Sequence, residues 1–62
     1  MARFVVKGVL KLGGEERPFS REFDAPGEQR ARERAYSYFG SKHGLRRSDV
    51  EIRSVEEARR HE

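Results

Sequence analysis

The chain contains no cysteine. No disulfide framework and no thiolate metal site can therefore form, and nothing points to an oxidising compartment. Tryptophan is also absent, and there are two prolines and two histidines. Long apolar runs are missing as well. The first one, Phe4-Val5-Val6, is cut by Lys7, and no later stretch could span a membrane or serve as a signal peptide. The expectation is a cytoplasmic protein with no membrane partner. Acids are missing from two blocks. Arg3, Lys7 and Lys11 have no acidic neighbour in the first twelve residues, and none lies between Phe39 and Asp49, a stretch holding Lys42, Arg46 and Arg47.

Catalytic furniture is equally scarce. His61 sits at the C-terminal end, and His43 has no cysteine, histidine or acid at metal-ligand spacing. The serines lack a nucleophile-elbow context. Gly13-Gly14 is followed by acids and not by Lys-Ser or Lys-Thr, so it is no nucleotidase phosphate loop. Glu15-Glu16 suits a solvated hairpin tip better than a catalytic carboxylate pair. Neither an enzyme, nor a metal, nor a cofactor, nor a small-molecule substrate is expected.

Sixty-two residues make one domain with a thin core. Charged residues are 40% of the chain, and the net charge is +3. Arginines outnumber lysines eleven to three. The planar guanidinium fork suits phosphates and base edges, which favours a polyanionic partner. Arginine richness is also compatible with genome composition or salt adaptation.

The apolar residues are patterned. From Arg3 to Leu12, Phe4, Val6, Leu10 and Leu12 fall on one face of a strand, and Val5, Lys7, Val9 and Lys11 on the other. Gly8 interrupts the first row and marks a bulge or a close backbone approach. Gly13-Gly14-Glu15-Glu16 suits a hairpin connection. A second strand, about Arg17 to Asp24, aligns Phe19 with Phe23. Ala25-Pro26-Gly27 breaks it, and Gly27 can cap a helix. Ala31, Ala35, Tyr38 and Phe39 then fall on one helical face. The helix is expected to stop near Gly40, with Gly44 as the alternative terminus, since an interior glycine costs about 1 kcal/mol against alanine. Val50 and Ile52 open a third strand. Val55 is out of phase with them, so it lies on the opposite face or beyond a bulge.

The expected fold is α+β, with order β-β-α-β. Its three-stranded antiparallel sheet has order 2-1-3 and one helix packed on one face. The expected core holds Phe4, Val6, Leu10, Phe19, Phe23, Ala31, Ala35, Phe39 and Ile52. The opposite face, with Val5, Lys7, Val9 and Val55, is either merely exposed or a partner surface. A single domain is expected over 1–56, followed by a charged tail over 57–62.

The segment "FGSKHGLRRSD" allows two readings. One is a solvated connection. The other is a phosphate clamp, with Gly40 and Gly44 letting backbone N–H groups approach, Ser41 and Ser48 donating hydrogen bonds, and Lys42, His43, Arg46 and Arg47 meeting phosphates or bases. Lys7 and Lys11 on the sheet are the rival cationic surface.

Residues 35–52, "AYSYFGSKHGLRRSDVEI", resemble the signature segment of the archaeal large-subunit ribosomal protein LX family. The matching residues are Tyr36-Ser37, Phe39-Gly40-Ser41, His43, Arg46-Arg47 and Val50-x-Ile52. "VKGVLKL" and "RPFSREFDAP" fit the family's order upstream, so the likeness runs from about Phe4 to Val55. The chain departs from the pattern at Gly44, where many members carry a basic residue, and in the acids Asp49 and Glu51. The resemblance implies a structural component of the large ribosomal subunit. Its partners would be ribosomal RNA and neighbouring ribosomal proteins, with the basic Gly/Ser-rich loop after the helix as the RNA contact. The β-β-α-β order also opens ubiquitin-like folds, so a protein-interaction module is the alternative; the C-terminus lacks the Gly-Gly of a modifier.

Overall fold

The computed structural model describes residues 2–58. Its elements are β1 (Ala2–Leu12), β2 (Glu15–Ala25), α1 (Glu28–His43) and β3 (Val50–Glu57), with one 3-10 turn at Arg47–Asp49. The sheet order is β2-β1-β3, and both outer strands run antiparallel to β1. Class, topology and strand order are those expected from the sequence.

The hairpin turn is tighter than the four-residue connection expected. Leu12 pairs directly with Glu15, so only Gly13 and Gly14 turn the chain, at φ 54° and 87°. Two positive φ angles define the turn whose twist matches antiparallel strands, and glycine adopts them without steric cost. Glu15 and Glu16 thus belong to the ladder.

β3 carries a bulge. Lys7 pairs with Ser54 and Gly8 with Ile52, which leaves Arg53 without a partner on β1. The extra residue reverses the alternation. Val50 and Ile52 lie on the helix side before it, and Val55, opposite Val6, returns to that side after it. Val55 therefore joins the core margin and not the open face. Glu56 and Glu57 continue the ladder against Val5 and Phe4, so the expected tail loses Glu57 to the strand. Its last residues, 59–62, lie outside the described residues, as does His61.

Phe4, Val6, Ala25, Ala31, Ala35, Phe39 and Val50 are buried. The small side chains of Ala31 and Ala35 let the helix approach the sheet. Phe19, Phe23, Ile52 and Val55 are half-buried around this centre. Leu10, expected in the core, is also only half-buried. The 16-residue helix is about 24 Å long. The eleven-residue strands run roughly 36 Å, so the hairpin end overhangs it. Sequence reasoning missed Ala25 and Val50, which close the two ends of the sheet where the chain enters and leaves the helix layer.

The helix passes Gly40 and ends four residues later. Gly44 takes φ 66°, and its N–H donates to the Gly40 carbonyl at 3.1 Å. The Leu45 N–H donates to the Phe39 carbonyl at 3.2 Å. A glycine in the left-handed region ends a helix by satisfying such orphan carbonyls. That gain, with Phe39 buried one turn earlier, outweighs the cost of Gly40 inside the helix.

Candidate nucleic-acid interface

The segment expected as a loop is mostly not one. Gly40, Ser41, Lys42 and His43 form the last turn of α1, and the irregular backbone is confined to Gly44, Leu45 and Arg46 before the 3-10 turn. The backbone N–H groups of Gly44 and Leu45 are spent on helix carbonyls, and the Gly40 N–H lies inside the helix. A phosphate cradle of glycine amides at Gly40 and Gly44 is therefore not formed. The Ser41 hydroxyl donates to the Ser37 carbonyl at 2.8 Å, so its proton is also committed. The end of a helix carries partial negative charge. Lys42 and His43 offset it from the last turn.

His43 is exposed but not free-standing. Its ring lies 5.7 Å from that of Phe39 and 5.9 Å from that of Tyr38. These rings continue a row in which Phe19 meets Phe39 at 4.7 Å, Phe39 meets Tyr38 at 5.1 Å, and Tyr38 meets Phe23 at 5.8 Å. The row ties the last helical turn to β2, so the cationic end of the helix stands on a packed base.

Arg46 and Arg47 diverge. The Arg46 N–H donates to Asp49 Oδ2 at 3.1 Å, and the Asp49 N–H donates to the Arg46 carbonyl at 2.9 Å. Asp49, one departure from the family pattern, thereby shapes the turn. The Arg47 guanidinium lies over the Tyr36 ring, 4.6 Å from its centroid. Ser48 is exposed beside it. A second such pair, Arg21 over Tyr38 at 4.9 Å, flanks the other side of the helix.

The two acid-free blocks of the sequence fare differently in space. On the open sheet face, Arg3 meets Asp24 at 3.3 Å and Glu22 at 3.6 Å. The Glu51 carboxylate is shared, one oxygen 3.6 Å from Lys11 and the other 3.2 Å from Arg53. Only Lys7 of that face's cations has no ion pair among the described residues. Lys42, Arg46 and Arg47 have none either, and all three are exposed.

A shallow cleft of about 490 Å³ opens where the 3-10 turn meets the helix. Glu28, Gln29, Arg32, Glu33, Tyr36 and Arg47 line it. Sequence reasoning did not select Arg32 or Tyr36 as site residues. The signal was available in the spacing of Glu28, Arg32 and Tyr36, which repeats every four residues and puts all three on one helical stripe. What was not available was the return of Arg47 onto that stripe. Among the described residues no helix is long and apolar enough to cross a membrane.

Residues 1–56 match the family model described as ribosomal proteins 50S-L18Ae/60S-L20. The chain belongs to this family of large-subunit ribosomal proteins, which is not a family of enzymes. Its relatives include large ribosomal subunit protein eL20 of Methanopyrus kandleri, 40% identical over 55 residues that cover 87% of this chain and 69% of the relative. The eL20 of Natronomonas pharaonis is 39% identical over 56 residues, covering 90% of this chain and 98% of the relative. That of Halorhabdus utahensis is 36% identical over the same shares. The archaeal large-subunit resemblance read from residues 35–52 is borne out. The interaction-module alternative gains no support from these matches.

Proposed function

We propose that the chain works in the ribosome by binding ribosomal RNA of the large subunit through the surface running from Lys42 to Ser48. Neighbouring ribosomal proteins take the open sheet face. The observation that carries this reading is the difference in charge pairing. Cations already bridged to carboxylates have less to gain from a phosphate, whereas unpaired exposed ones can release counterions from RNA. Lys42, Arg46 and Arg47 are unpaired among the described residues, while Arg3, Lys11 and Arg53 are bridged. The contacts here come from side chains. Lys42 and His43 project from the last helical turn, and Arg46 and Arg47 diverge from the 3-10 turn to reach separate phosphates. The sheet face, with Val5, Val9 and Pro18 between bridged charges, suits a protein neighbour better.

The test is the double variant Arg46→Ala, Arg47→Ala, measured for binding to structured RNA across a salt series. Both side chains are exposed, so folding should survive. The slope of log affinity against log salt should shrink by roughly 1 for each phosphate that is no longer neutralised. The pair Lys7→Ala, Lys11→Ala is the control and should bind nearly as the parent does. If the control loses binding and the double-arginine variant keeps it, the sheet is the RNA face.

A further inference from the structure

The cleft beside Tyr36 differs in chemistry from the Lys42–Ser48 surface. It places two carboxylates, Glu28 and Glu33, beside two guanidiniums, Arg32 and Arg47, around an aromatic ring. A site for phosphate alone would not carry the acids, because they repel it. A protonated or neutral hydrogen-bond donor is needed to satisfy them.

We propose that this cleft takes one unstacked guanine base of the bound RNA; the inference rests on the RNA-binding reading above. The Arg47 guanidinium already lies on Tyr36 at 4.6 Å, so one of its faces is occupied and the other is presented to a ligand. Bases splayed out of single-stranded RNA stack on such guanidinium planes and on aromatic rings. An ionised carboxylate only accepts hydrogen bonds. Guanine alone among the four RNA bases offers two adjacent donors, N1–H and N2–H₂, on its Watson–Crick edge. Uracil has one donor between two acceptors, and adenine and cytosine set an amino group next to an acceptor. The Glu28 and Glu33 carboxylates receive the guanine edge, while Arg32, which has no ion pair among the described residues, meets the nucleotide's phosphate. The volume, about 490 Å³, lies within the roughly 300–1,000 Å³ of small-ligand pockets.

The probes are four nine-nucleotide RNAs, each with eight uridines around a central G, A, C or U, titrated against the full chain at several salt concentrations. The G-centred strand should bind at least about fivefold tighter than the others, the lower end of what a bidentate base contact discriminates. The double variant Glu28→Gln, Glu33→Gln should lose that preference while binding the all-uridine strand at least as well as the parent. Tyr36→Ala should weaken the G-centred strand more than the all-uridine one. Equal affinity for all four strands would overturn the guanine pocket and leave the phosphate surface standing. A G preference that survives both glutamine substitutions would overturn the carboxylate contact and with it the proposal. Absence of salt-dependent binding to any RNA would overturn both this inference and the function it rests on.

Discussion

A methyl group on Gly8 would sit 2.0 Å from the Glu51 carbonyl oxygen and 2.9 Å from Phe19 Cε2. The φ angle of Gly8 is not positive, so space and not backbone angle holds this position to glycine. The bulge at Arg53 is the neighbouring cause, since it brings the β3 backbone against β1. Gly8→Ala should therefore cost about 3 kcal/mol or more, because the blocking atom is main chain and cannot swing aside. In a domain of this size the melting temperature should fall by roughly 10 °C or more. A variant melting with the parent would show that β3 does not press on Gly8. The sequence carried this residue well: a glycine interrupting an apolar row announced a bulge or a close approach, and both occur. It could not say which strand bulged, because Val50, Ile52 and Val55 are compatible with either a phase change or a residue on the far face.

The helix end is where local reasoning and structure part. Gly40 and Gly44 are the same residue type four positions apart, and propensity alone favours stopping at the first. The stop falls at the second because only Gly44 adopts a positive φ, and because Phe39 and His43 hold the last turn against the aromatic row. The two glycines should answer oppositely to alanine. At Gly40 the new Cβ meets only the Leu45 carbonyl oxygen, at an ordinary 3.5 Å, so Gly40→Ala should stabilise by about 0.5–1 kcal/mol. At Gly44, φ 66° makes Gly44→Ala costly by roughly 1–2 kcal/mol. Chemical denaturation of both variants checks this. Destabilisation by the first and none by the second would return the helix end to Gly40. The correction also changes the chemistry of the candidate site, since a helical last turn offers side chains to RNA and no free amides. The tyrosine stripe was legible only in part. Tyr36 lies on the helix at a spacing the sequence shows, but its partner Arg47 reaches it only after the chain has turned at Gly44 and Arg46.

At the scale of the molecule, the sheet register decides which charges remain available. Arg3 and Lys11 stand in a stretch without acids along the chain, yet pairing of the strands brings Glu22, Asp24 and Glu51 against them. Linear charge blocks overstate free charge on a strand, whose neighbours come from elsewhere in the sequence. They serve better near Lys42–Arg47, which lies outside the sheet. Strand order, helix and family were all legible in 62 residues because the apolar periods are clean and the Phe-Gly-Ser-x-His segment is distinctive. The cleft was not, since it is assembled from a helix stripe and a turn.

Binding to the large subunit should therefore behave as an electrostatic association centred on Lys42–Ser48. The most direct measurement is sedimentation of the chain with purified archaeal large subunits over a series of salt concentrations, parent beside Arg46→Ala, Arg47→Ala. The parent should travel with the subunits at moderate salt and be released as salt rises, because phosphate contacts give back their counterions. The double-arginine variant, still folded by circular dichroism, should be released at lower salt. A parent chain that stays at the top of the gradient at every salt concentration, or a variant retained as firmly as the parent, would contradict the account.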